Sequence, residues 1–80
     1  MRHFHFLSYM LTKDGQIHDT GSFVYHTTAN GNLIDDAKHY IRGYIAGPPE
    51  GYSAIVILNI QPLTKEQAIT IDARIAQLSD

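Results

Sequence analysis

The chain has 80 residues, of which 44% are apolar and 18% charged, and it contains no cysteine. This length and composition predict one globular domain over residues 1–80, without a disulfide framework or a thiolate metal site. The formal charge of −2 and the scattered Lys and Arg residues argue against a nucleic-acid surface, which carries a basic excess.

The N-terminal residues 1–6 do not have the pattern of a signal peptide, because His3 and His5 interrupt the apolar run and no small-residue cleavage site follows. No segment approaches the length of a membrane span. We therefore expect a cytoplasmic protein that is not associated with a membrane.

The first 28 residues have the pattern of a β-hairpin. Residues 3–12 and 17–28 have strand character, and Asp14-Gly15 between them suits a type I′ turn, in which both central residues have positive φ. A two-residue turn there places Phe6 opposite Phe23. Gly21 marks a candidate bulge, which would shift the register beyond it by one residue.

The rest of the chain predicts two helices with a strand between them. Asn32 suits the N-cap of the first helix, whose apolar residues recur at helical spacing. Residues 53–61 follow as a strand that Pro62 ends, and Thr64 with Gln67 forms a capping box at the start of the second helix.

The element order β-β-α-β-α predicts an α+β two-layer sandwich. Its sheet has three mainly antiparallel strands in the order 2-1-3, and both helices lie on one face. An order of 1-2-3 with one parallel pair is the alternative. The third strand, residues 53–60, is apolar on both alternating faces, which indicates that both of its sides are covered.

Two helices on one face leave the other face of the sheet open. In the predicted register the open face carries four apolar interface candidates: Leu7, Tyr9, Leu11 and Val24. The third strand adds either Ile55 and Ile57, or Ala54, Val56 and Leu58. Because a contiguous exposed apolar patch usually marks an interface, the sequence predicts a non-enzymatic interaction or regulatory module, either a homodimer or bound to a protein partner.

The histidines near the N-terminus carry a second hypothesis. His3 and His5 lie on the same strand face, and the predicted register places His26 across from His3. Three imidazoles in this arrangement suit an open zinc site, which activates a bound water. The alternative is therefore a small zinc-binding protein or metalloenzyme; no other cofactor is expected. The same three histidines predict a response to acid, because they repel one another as they become charged.

The remaining functional classes find less support in the sequence. Asp35 and Asp36 are adjacent but suit the start of the first helix, and no acid/base pair of carboxylates is visible. The sequence has no nucleophile elbow or glycine-rich phosphate loop, so an enzymatic activity is not the leading interpretation. Tyr9 and Tyr25 on a small sheet would suit base stacking, but basic residues along the strands are lacking, and a single-stranded nucleic-acid binder is the least favoured class.

In size and composition the chain resembles small phage and mobile-element accessory proteins, a short, acidic and motif-free group with complete α+β folds. That resemblance covers no specific motif. It implies action by binding a host protein, which agrees with the interaction hypothesis.

Overall fold

The computed structural model describes residues 1–28, 30–47 and 49–78. Its strands are β1 (His3–Lys13), β2 (Gln16–Thr27) and β3 (Ala54–Leu63). Its helices are α1 (Leu33–Tyr40), which continues as a π-helical turn (Ile41–Ile45), and α2 (Lys65–Ile71), with short 3₁₀ segments at Pro49–Gly51 and Ala73–Gln77. Both strand pairs are antiparallel and the sheet order is β2-β1-β3, so the predicted α+β fold and strand order are confirmed.

The hairpin has the predicted turn, but its bulge lies elsewhere. Asp14 and Gly15 have φ values of 53° and 79°, as a type I′ turn requires. Thr12 pairs with Ile17, whereas Leu11 pairs with Asp19, so His18 is the extra residue of a bulge. The bulge therefore precedes Gly21, and it shifts all later residues of β2 by one position.

The shifted register is stabilised by the contact between Tyr9 and Gly21, which are direct partners. A Cβ atom at Gly21 would lie 2.5 Å from the hydroxyl oxygen of Tyr9, so the missing side chain provides the space for the Tyr9 ring. Phe23 then packs edge-on against Tyr9, with 6.0 Å between ring centroids. Phe23 lies opposite Leu7 rather than Phe6.

One face of the sheet, which we call the Leu7 face, carries Leu7, Tyr9 and Leu11 of β1. It packs against α1 and the π-helical turn through Ala37 and Ile41, both of which are fully buried. The cluster is completed by side chains of β2, β3 and the preceding loop, namely Tyr25, Ile55 and Tyr52. This is the main core of the molecule.

The opposite face, which we call the Phe4 face, carries Phe4, Phe6, Ser8 and Met10 of β1. A second cluster forms at one end of it, where Phe4 packs with Ala68 of α2 and Ile75 of the following 3₁₀ helix. The two helices therefore lie on opposite faces, and the expectation of both on one face is wrong.

The chain reaches the Phe4 face because of how β3 ends. Leu63, the last residue of β3, pairs with Phe4 and packs in the second cluster. The capping box at Thr64 follows at once: the Thr64 side chain accepts from the Gln67 N–H at 3.1 Å, and the Gln67 side chain accepts from the Thr64 N–H at 2.9 Å. The helix thus begins on the side of the sheet where Leu63 already lies.

Candidate functional site

β3 is the most exposed apolar element of the sheet. It has β1 on one side, and no other strand within the described residues pairs with it, so its second side is a free edge. Ile55 is buried in the core, but Val56 is 36% exposed and Leu58 is 56% exposed. The ten residues of β3 include no Asp, Glu, Lys, Arg or His. β3 therefore combines a free backbone edge with uncharged, partly apolar side chains, an arrangement that favours pairing with another strand.

The bulge in β3 explains the exposure of Leu58. Ser8 pairs with Asn59 and Tyr9 pairs with Ile57, so Leu58 has no partner on β1. A bulge bends the strand locally and re-aims the side chain of the extra residue. The apolar Leu58 is thereby presented to solvent at the sheet edge.

Part of the Phe4 face adjoins this edge, and none of the described helices packs over it. The second cluster surrounds Phe4, whereas Met10 pairs with Val56 at the other end of the face. We call this region the open half of the Phe4 face; its residues are Ser8, Met10 and Thr12 of β1 with Ala54 and Val56 of β3. This region is small and combines polar with apolar side chains. Its apolar part is continuous with the exposed side chains of β3.

The predicted interface residues do not lie on an open face. Leu7, Tyr9 and Leu11 are 0%, 7% and 5% exposed and form the main core beneath α1. Val24 lies on the Phe4 face, half-buried against the second cluster. The assignment of these four side chains to one open face is wrong, because α1 covers the Leu7 face and the His18 bulge moves Val24 to the other.

The predicted zinc ligands are separated by the same bulge. His3 and His5 lie on the Leu7 face, whereas His26 pairs with Phe4 and lies on the Phe4 face. Within residues 1–28, 30–47 and 49–78, no group of three or more His, Asp or Glu side chains is arranged to hold a metal ion. The three-histidine site is therefore not formed.

His3 and His5 instead line a cleft of about 210 Å³ beside the start of α1, together with Asp36, Asn30 and Thr27. The Nδ1 atom of His5 is buried and has no hydrogen-bond partner in the described part of the chain. Burial and the neighbouring His3 both lower the pKa of His5 below its ordinary value. The cleft thus favours a neutral imidazole and does not gather further ligands around it.

His26 is held by a different partner. A guanidinium nitrogen of Arg2 lies 3.0 Å from Nδ1 of His26. Burial, followed by the charge of Arg2, lowers the pKa of His26, and the opposing influence of Asp72 is smaller. Since the guanidinium is always a donor, Nδ1 must accept the hydrogen bond, and protonation of His26 removes it.

A wider cleft of about 430 Å³ lies along the second half of β2. Tyr40 of α1 stacks on Phe23 at 5.5 Å between ring centroids, and Tyr44 extends the ring contacts outward at 5.0 Å from Tyr40. On the other side Arg74 donates to the Asp72 carboxylate at 2.8 Å and 3.0 Å. These contacts flank the β2 edge with side chains from both helical segments.

Tyr9 and Tyr25, the rings expected to stack on bases, are 7% and 5% exposed. Burial raises the pKa of both phenols. Neither ring face is presented to solvent as a stacking platform would require.

Val56 and Leu58 belong to one of the two alternative sets that the sequence offered for the third strand, and the structure exposes both side chains. The feature of the sequence that indicated them is the apolar character of both faces of β3.

No described helix is long and apolar enough to cross a membrane. Comparison with known protein families, with curated proteins and with solved structures finds no match.

Proposed function

We propose that this chain is a small, non-enzymatic interaction module that binds another protein chain through β3 and the open half of the Phe4 face. The observation that carries the proposal is the combination of a free strand edge, exposed Val56 and Leu58, and the lack of any ionisable residue in β3.

The physical basis is that an edge strand offers a row of backbone donors and acceptors to any extended segment that approaches it. Main-chain hydrogen bonds then supply affinity, and side chains on alternate positions supply selectivity. Charged residues on an edge normally prevent such pairing. β3 has none, and its apolar side chains gain from being removed from water.

A photo-crosslinking experiment tests the proposal directly. A benzophenone amino acid replaces Leu58 in the full chain, expressed in the cells from which the gene comes, and the adducts are analysed by mass spectrometry. The matched control carries the same amino acid at Ile17, an aliphatic residue of β2 that is 68% exposed. We expect a discrete protein adduct from position 58 and none from position 17.

The two positions are comparable because both side chains are large, apolar and solvent-accessible. An adduct at position 58 alone supports the proposal, whether the captured chain is identical to this one or different. Equal adducts at both positions, or none at position 58, would contradict it.

A further inference from the structure

We infer that the chain bound at β3 is a second copy of this protein, paired antiparallel with β3 across a two-fold axis at Val56. This inference rests on the proposed function and specifies its partner. It produces a continuous six-stranded sheet with the strand order 2-1-3-3-1-2. The axis stands perpendicular to the sheet, so each face of one copy continues into the same face of the other.

The charge pattern favours a second copy. In a two-fold interface the same patch meets itself, so any charged residue near the axis faces its own like charge. Directly opposed like charges destabilise strand pairing. All ten residues of β3 are uncharged, so β3 meets its copy without electrostatic repulsion.

Side-chain sizes along β3 also agree with this axis. An axis at Val56 places that side chain opposite its own copy and places Leu58 of each copy opposite Ala54 of the other. All three side chains are exposed in the single chain. Large and small apolar side chains at facing positions can pack together without a clash or a void. Pro62, which has no N–H to donate, lies away from the axis near the end of the strand.

The dimensions of the single chain favour an additional chain beside it. A compact protein of 9.0 kDa exposes about 4,900 Å², whereas this chain exposes 5330 Å². Its radius of gyration is 13.3 Å, compared with about 11.6 Å for a compact domain of this length. The buried core is correspondingly small, and binding a second copy would stabilise the folded state by mass action.

Pairing of β3 with β2 of another copy is the competing arrangement. It is heterologous and would extend into an open chain of molecules rather than a closed dimer. The first half of β2 presents the exposed residues His18 and Asp19, and its second half is flanked by Tyr40, which stacks on Phe23. Both features oppose strand addition at β2 and leave β3 as the available edge.

The first test is the mass of the purified full chain in solution, by light scattering at about 100 μM. We expect twice the 9.0 kDa of one chain. Val56→Lys places two ammonium groups opposite each other at the axis, and we expect it to weaken dimerisation about a hundredfold or more. The control is Thr20→Lys, which adds the same charge to an exposed site on the same face of β2. Circular dichroism verifies that both variants fold.

The second test uses the fact that the chain has no cysteine. A Val56→Cys variant can form a disulfide only between two copies, and opposed residues of paired strands have Cβ atoms about 4.5–5.5 Å apart. On a non-reducing denaturing gel, we expect oxidised Val56→Cys to run as a disulfide-linked dimer and oxidised Thr20→Cys to run as unlinked single chains.

The outcomes separate this inference from the proposed function. A dimer lost in Val56→Lys and retained in Thr20→Lys, with disulfide formation at position 56, supports pairing at Val56. A wild-type monomer, or a dimer unaffected by Val56→Lys, overturns it. If the wild type is a monomer while Leu58 captures a different protein in cells, the proposed function stands and the second copy is excluded as the partner.

Discussion

The two edges of the sheet each carry one bulge, but the bulged residue is His18 on β2 and Leu58 on β3. β2 presents polar residues around its bulge, and further along it is flanked by side chains from both helical segments. β3 presents an apolar side chain at its bulge and no charge along its length. The two edges therefore differ in the side chains around their bulges, which are polar on β2 and apolar on β3, and not in the bulges themselves.

This difference between the edges would direct the proposed association to one side of the sheet. A protein with two equivalent free edges would polymerise, since each edge is a template for another strand. Polar and helical protection of β2 leaves β3 as a single available edge, and a single edge leads to a closed dimer or a one-to-one complex.

The largest expected effect on stability comes from comparing a charge on the Leu7 face with a charge on the Phe4 face. Leu11→Lys introduces a charge into the main core, where Leu11 is 5% exposed and pairs with Ile55. We expect it to lower the free energy of unfolding by more than about 4 kcal/mol, because a buried unpaired ammonium has no compensating partner. Urea denaturation measures the change.

Val56→Lys is the matched comparison. Val56 follows Ile55, the β3 partner of Leu11, and its side chain lies on the opposite face of the sheet. In the monomer it should alter the free energy of unfolding by no more than about 0.5 kcal/mol. A folded Leu11→Lys variant with unchanged stability would show that the Leu7 face is not the core.

Some features of the fold could be predicted from the sequence, and others could not. The turn at Asp14-Gly15 and both helix N-caps follow from local patterns that need no tertiary information, whereas the strand order rests on how the connection crosses the sheet and leaves 1-2-3 as an alternative. The bulge at His18 does not follow from a local pattern, because no residue type there marks it, and one extra residue reverses the face of everything after it. The predicted register therefore placed these β2 side chains on the wrong faces, and the three-histidine site that depended on it is not formed.

The second helix shows a similar limit. Its apolar residues continue at helical spacing beyond Ile71, yet α2 ends there and a 3₁₀ helix follows. Asp72 interrupts the helix because its side chain accepts from the Arg74 N–H at 3.1 Å and pairs with the Arg74 guanidinium. An Asp side chain competes with helical hydrogen bonds in this way, but spacing of apolar residues does not reveal it.

An intermediate effect is expected at Gly21, where the register of β2 depends on the Tyr9 ring. A methyl group there would lie 2.5–2.8 Å from the hydroxyl oxygen and two ring carbons of Tyr9, which is buried in the core. We expect Gly21→Ala to cost about 1–3 kcal/mol of unfolding free energy by overpacking. Gly43→Ala, where nothing lies within 4 Å, is the control and should cost far less.

A double-mutant cycle sharpens that test. If the Tyr9 ring is the obstacle, Gly21→Ala should cost less in a Tyr9→Ala background, with a coupling of about 1 kcal/mol. Additive losses would mean that the two residues do not determine the register together.

The smallest expected effect is that of low pH on folding stability, which depends on titratable histidines and not on β3. The pKa values of His5 and His26 are lowered in the folded state, so the unfolded chain binds protons more readily. Stability is then full above the ordinary histidine pKa of about 6.5 and declines as the pH falls toward the folded-state values. Protonation of His26 also removes the hydrogen bond from Arg2.

Dimerisation should respond differently, because β3 has no titratable residue and His5, the histidine that pairs with it, lies opposite Pro62, near the end of the strand and away from Val56. Urea denaturation of the monomeric Val56→Lys variant should show lower stability at about pH 5 than at about pH 7.5. Over the same range, at about 0.15 M salt, the wild-type dimer dissociation constant should change less than about threefold. A dimer that dissociates in step with histidine protonation would place those imidazoles at the interface and remove β3 as its centre.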